Sequence, residues 1–135
     1  MRLKFIFLCK RYSVIMIKLF KSFGYAWQGL LYCYKSQLNF RIHLLVLVVV
    51  VICGFAFSIS NGQWLFIISA AMLVLSLELL NTALEFLSDK VSKEFDPAIK
   101  IVKDVSAAAV LVCAAGSVLG GLIIFLPKIF HLLNL

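Results

Sequence analysis

The chain has 135 residues, is 64% hydrophobic and only 14% charged, and has a mean hydropathy of +1.09. Soluble domains average about 45–50% apolar and about 25% charged residues, so these values exclude an ordinary soluble domain. The net charge of +7 gathers around apolar runs and does not stripe a soluble face, which argues against a nucleic-acid-binding module.

Residues 1–17 (MRLKFIFLCKRYSVIMI) join basic residues to a short apolar run. They resemble the start of a signal peptide without its small-residue cleavage site. They read as a basic, dispensable extension, with Met16 as a second plausible start. Residues 18–36 place Leu19, Phe20, Phe23, Trp27, Leu30, Leu31 and Tyr34 at helical spacing, with Lys18, Lys21, Gln28 and Lys35 largely elsewhere. A basic helix with an aromatic apolar side is expected to lie in the membrane interface.

Three later runs reach the roughly 20 residues needed to cross a bilayer: 42–60, 64–87 and 105–126. Asn61-Gly62-Gln63 is short and turn-forming, so it is expected to join the first two spans as a tight hairpin. Residues 88–104 are charged, contain Pro97 and read as a loop, and 131–135 read as a tail. Residues 18–130 then make one membrane domain of all-α class, with three transmembrane helices after a surface helix. Twelve of the 13 Lys and Arg precede the third span, leaving only Lys128 beyond it. The positive-inside rule therefore puts the N-terminus and the 88–104 segment in the cytoplasm and the C-terminus outside.

Cys9, Cys33, Cys53 and Cys113 have no C-x-x-C spacing and read as small apolar packing residues. Gly116 and Gly120 form a G-x-x-x-G in the third span, a pattern that favours close helix packing, within or between subunits. His43 reads as a headgroup-level interfacial histidine, and no role is assigned to His131.

All six acidic residues lie between Glu78 and Asp104. Glu78 and Glu85 fall inside the second span, where a mid-bilayer charge costs at least roughly 2.5–3.5 kcal/mol. Glu78, Asn81, Glu85 and Asp89 follow at spacings of 3, 4 and 4, which puts them on one helical stripe bordered by Thr82. Asn and Thr can glue membrane helices, but carboxylates are poor glue, so the stripe points to chemistry. Lys103-Asp104 stands at the mouth of the third span, and a carboxylate stripe with a lysine suits a polyanion arriving with Mg²⁺. No G-x-x-x-x-G-K-[ST] loop or kinase-type Gly-rich loop is present. Three spans enclose a polar site poorly, which favours a homo-oligomer with shared sites.

The block Glu78-Leu-Leu-Asn81-Thr-Ala-Leu-Glu85, then Asp89, Glu94-Phe95 and Lys103-Asp104 before a small-residue run, resembles the prokaryotic diacylglycerol kinase family. Gly24-Tyr25-Ala26-Trp27-Gln28-Gly29-Leu30 and Asn39-Phe40-Arg41-Ile42-His43 extend the likeness from about Lys18 to Lys128. The second string and the Leu-Pro-Lys ending look closer to the undecaprenol kinase branch. The resemblance implies a homotrimer of the bacterial inner membrane that passes the γ-phosphoryl group of MgATP to a lipid hydroxyl, either diacylglycerol or undecaprenol. It implies that Glu78 is the general base, with Asn81 beside it. It makes Glu85 a metal ligand next to the nucleotide. Lys18, Tyr25, Glu94, Phe95, Asp96, Lys103 and Asp104 become nucleotide contacts, and Trp27, Asn39 and Arg41 join Glu78 on the lipid side. Where the family places a second metal-ligating Glu, this chain has Gln37, whose amide offers Mg²⁺ one neutral oxygen. That departure supports the rival reading, a non-catalytic membrane scaffold with a retained polar seam. A binding module for anionic lipids is a third, motivated by the basic surface helix alone.

Overall fold

The computed structural model describes residues 2–133, with side chains from residue 15 onward. It is all helix: α1 (Arg2–Ser36), α2 (Leu38–Ala56), α3 (Asn61–Val91) and α4 (Pro97–Leu132). Residues to Ser36 form one unit and residues from Gln37 another. Three helices are long and apolar enough to cross a membrane, namely α2, α3 and α4. The expected surface helix 18–36 lies within α1, which begins upstream of it, at Arg2. Side chains of 1–14 and the last two residues of the 131–135 tail lie outside the described residues.

In the second unit α3 is central, and both α2 and α4 pack against it. The residues facing outward from these helices are large and apolar, among them Leu45, Ile52, Leu73, Leu111 and Ile123. Such a continuous apolar exterior needs lipid or another apolar surface around it. At 31 residues α3 is about 46 Å long, well beyond a hydrocarbon core of about 30 Å.

The connection between α2 and α3 differs from expectation. It occupies 57–60, and Asn61-Gly62-Gln63 forms the first turn of α3. Two local motifs explain the shift. Ser58 takes a left-handed backbone (φ 47°), while Ile59 N–H donates to Gly54 O and Ser58 N–H to Phe55 O, a Schellman ending. Ser60 then caps α3: its hydroxyl accepts from Gln63 N–H, and the Gln63 side chain accepts from Ser60 N–H. Lys128 Nζ donates to Phe57 O (3.3 Å), placing a cation at the C-terminal end of α2 where the helix dipole is negative.

The expected loop 88–104 also shrinks. Only 92–96 lie outside helices, because Asp96 caps α4 through Ala98 N–H and Ile99 N–H, and Pro97 occupies the first turn, where its missing N–H is harmless. Lys100, Lys103 and Asp104 are therefore helical residues of α4.

Close approach at the apolar end is made by glycine. A Cβ on Gly54 would stand 2.6 Å from Trp64, and one on Gly120 would collide with the Phe66 ring. Gly120 thus receives a ring from α3 of the same chain, whereas Gly116 has open space. Ile59, Ile67 and Ile124 form the core here, joined by Val50, Phe57, Trp64 and Phe125. Phe57 and Phe125 also meet as a tilted aromatic pair with centroids 6.1 Å apart.

Candidate functional site

The opposite end of α3 is polar. Glu78 is buried at 3% exposure, the one buried carboxylate among the described residues. His43 of α2 reaches it, with Nε2 3.2 Å from Glu78 Oε1. The histidine read as interfacial is therefore a partner of the buried carboxylate. One turn along, Thr82 Oγ1 donates to the Glu78 carbonyl (2.9 Å), so the buried hydroxyl is satisfied by its own helix.

About 10 Å further along α3, seven residues on, Glu85 is held at both carboxylate oxygens. Asn81 Nδ2 donates to Oε1 (3.0 Å) and Gln37 Nε2 to Oε2 (3.3 Å). The Asn81 amide is itself oriented from α4, where Ser106 Oγ lies 2.6 Å from Asn81 Oδ1. The same hydroxyl is 2.9 Å from Lys103 O, and its single proton serves one acceptor at a time. Three segments therefore converge on Glu85: the Gln37 residue that precedes α2, the α3 stripe, and the first turns of α4.

Toward the helix ends the groups become exposed and ionic. Lys103 Nζ bonds Asp89 Oδ1 at 2.9 Å, and Lys100 pairs with Asp104 one turn along α4. Adjacent in sequence, Lys103 and Asp104 thus serve different partners. Ser92 Oγ donates to the Glu94 carbonyl and Phe95 is 81% exposed. Asp96, expected at the nucleotide, also serves as the α4 cap.

Of the sequence-predicted residues, Gln37, Asn81, Glu85 and Lys103 join one run of contacts with Ser106 and Asp89, while Glu78 pairs separately with His43. Asn39 and Arg41 sit exposed in the first turn of α2. Lys18, Tyr25 and Trp27 are exposed on α1, in the other unit. Sequence reasoning passed over His43 and Ser106. The signal for His43 was available: between it and Asp89 the chain has no Lys or Arg, so a buried Glu78 had few basic partners to choose from.

A divalent cation fits this arrangement only in company. Among the described residues no group of three or more His, Cys, Asp and Glu could hold one. Glu85 is the carboxylate at hand, and Gln37 presents N–H where a ligand would present oxygen, so its amide would have to turn over to bind metal. One carboxylate completed by phosphate oxygens is an ordinary Mg²⁺ environment, so the set suits an ion that arrives bound to a nucleotide.

A cavity of about 390 Å³ opens between α2, α3 and α4, walled by Val46, Val50, Ala70, Val74 and Phe125, with His43 on its lining. The polar stripe and an apolar cavity therefore meet at His43, which lines the cavity and contacts Glu78.

Known proteins match this chain along most of its length. The sequence model of the prokaryotic diacylglycerol kinase family matches residues 24–125. An undecaprenol kinase of Bacillus subtilis is 39% identical over 112 residues, covering 83% of this chain and 91% of the relative. A diacylglycerol kinase of Synechocystis is 37% identical over 83% of this chain and 65% of its own length, and that of Escherichia coli K12 is 28% identical over 70% and 78%. With its three apolar spans and a buried carboxylate on the central one, the chain is a lipid kinase belonging to the prokaryotic diacylglycerol kinase family.

Proposed function

We propose that this protein transfers the γ-phosphoryl group of MgATP to the hydroxyl of undecaprenol at the cytoplasmic face of a bacterial inner membrane. The observation that carries the reading is Glu78, a carboxylate buried in a membrane-spanning helix and paired with His43, which lines an apolar cavity. A soluble acceptor has no reason to meet a base at that depth, whereas a lipid alcohol reaches it by diffusing within the leaflet. Undecaprenol is preferred to diacylglycerol because the Bacillus subtilis undecaprenol kinase is 39% identical, against 37% and 28% for the diacylglycerol kinases of Synechocystis and Escherichia coli. The product would be the phosphorylated lipid carrier used in cell-wall assembly. Twelve of the 13 Lys and Arg lie before the third apolar run, which supports a cytoplasmic N-terminus and an external C-terminus.

In the transfer the acceptor oxygen bonds to the γ-phosphorus, and the bond from that phosphorus to the β,γ-bridging oxygen breaks. The hydroxyl proton passes to Glu78, and ADP leaves. Positioning and charge neutralisation dominate such a reaction. Glu85, fixed by the amides of Gln37 and Asn81, presents its charge to the Mg²⁺ that comes with the nucleotide. That ion neutralises phosphate oxygens when bound. Lys103, a half-exposed cation paired with Asp89, is suited to contact the phosphates from α4. The cavity beside His43 takes the first apolar units of the acceptor. Exposed flanks around Glu85 and on α1 are consistent with a homotrimer in which neighbouring copies complete the enclosure.

The test is transfer of label from γ-labelled ATP in Mg²⁺-containing mixed micelles holding either undecaprenol or diacylglycerol. Label in undecaprenol, at a kcat/KM above that for diacylglycerol, is expected. The reverse preference would correct the acceptor, and label in neither lipid would contradict the kinase reading.

A further inference from the structure

His43 has one observation that the transfer scheme leaves unused: its Nε2 stands 3.2 Å from Glu78 Oε1 while its ring lines the apolar cavity. We propose that His43 is the positioning residue of Glu78, its Nε2–H holding Oε1 so that the carboxylate stays ionised within the membrane and turns its other oxygen toward the lipid hydroxyl. This rests on the kinase reading above for its kinetic consequence, though not for the pairing itself.

The other candidates for the task are occupied or misplaced. On the second unit Lys103 bonds Asp89, Lys100 pairs with Asp104, Lys128 bonds Phe57 O at the far end, and Lys90 lies over the Phe86 ring. Arg41 is exposed in the first turn of α2 and Lys93 is exposed beyond α3. Thr82 spends its hydroxyl proton on the Glu78 carbonyl, and Asn81 directs its N–H to Glu85. His43 is the donor within reach of the Glu78 side chain among the described residues. A buried carboxylate without a donor is strongly disfavoured as an anion and is neutralised by taking up a proton. A protonated Glu78 could not accept one from the acceptor. His43 also fixes direction, since a carboxylate tethered at one oxygen loses rotational freedom at the other.

Three variants separate a donor from a filler. His43→Gln keeps an N–H at the reach of Nε2. His43→Asn keeps the amide but is one methylene shorter, and His43→Leu keeps only volume. Each is purified in micelles, checked by thermal melting, and read in two ways at neutral pH. In the infrared, the native protein and His43→Gln are expected to show no protonated-carboxyl band from Glu78. His43→Leu and His43→Asn are expected to show one, and it should vanish when Glu78→Gln is added. In the kinase assay, the Leu and Asn variants are expected to lose about tenfold to a hundredfold in kcat, the scale of one hydrogen bond to a charged group. KM for ATP should stay within about twofold, because the lost contact is remote from the nucleotide. His43→Gln should recover most of the rate. No new carboxyl band in the Leu variant, or equal loss in the Gln and Leu variants, would overturn the proposal. Should the native protein phosphorylate neither lipid, the function fails while the infrared arm still decides the pairing.

Discussion

At the end of α3 that begins with Ser60, the helices meet through Phe66 on Gly120, Trp64 on Gly54, and an isoleucine core with Phe57 and Phe125. At the end that carries Asp89 they meet through two groups of polar contacts, His43 with Glu78, and Gln37, Asn81 and Glu85 with Ser106 and Lys103. The first region sets helix spacing by shape, with glycines admitting large rings. The second gives its carboxylates named donors, His43 for one oxygen of Glu78 and the Asn81 and Gln37 amides for both oxygens of Glu85, which apolar packing alone would not require. A membrane protein needs only the first kind of contact to stand. The second kind has to be explained by what it does, and its burden is greatest at Glu78, which is buried.

If that division is right, substitutions at the two ends should fail differently. Asn81→Leu removes the donor from Glu85 Oε1 and leaves the Ser106 hydroxyl without its closest acceptor. Kinase kcat/KM should fall about thirtyfold or more, near the value of a hydrogen bond to a charged group, with the protein still folded in a thermal melt. Gly120→Leu should do the converse. Its side chain occupies the space of the Phe66 ring, and overpacking of this kind destabilises by about 1–3 kcal/mol. Unfolding in mixed micelles should come earlier, while the folded fraction keeps its specific activity.

Gln37→Glu sharpens the polar end. It sets a second carboxylate against Glu85 Oε2 in place of an amide donor. Without divalent cation the variant should melt below the native protein; with Mg²⁺ and a non-hydrolysable nucleotide it should gain more than the native protein gains, by linkage. Equal gains would mean that position 37 does not face the ion. The smallest effect belongs to the connection between α2 and α3. Ser58→Gly relieves a left-handed backbone and should stabilise by up to about 1 kcal/mol, with kinase activity unchanged.

Much of the apolar end was legible as class and little of it as detail. Hydropathy alone yields three spans, because a run of 20 apolar residues has few other uses. Which residues touch is a matter of shape, so Phe66 on Gly120 carries no sequence signal beyond a G-x-x-x-G that suggested packing without a partner. The boundaries missed had readable causes. Ser60-x-x-Gln63 is a capping box and Asp96-Pro97 a cap followed by a first-turn proline, yet Asn61-Gly62 and the charges of 88–104 argued more loudly for turn and loop. At the polar end the stripe Glu78, Asn81, Glu85 and Asp89 follows from helical spacing within one element. His43 and Ser106 do not, since each lies on a different helix from its partner and a single polar residue has no period. Gln37 was noticed as a missing acid; the structure gives it a positive task, as a donor to Glu85.

The central claim is that the buried carboxylate at position 78 takes the proton of a lipid hydroxyl. The most direct measurement is kcat for label transfer from γ-labelled ATP to undecaprenol by Glu78→Gln, beside native protein of the same melting temperature. Removing a general base should lower kcat by about a thousandfold, within the usual range for such groups, with KM for ATP little changed. Activity within about threefold of native, in a variant that cannot accept a proton there, would contradict the account.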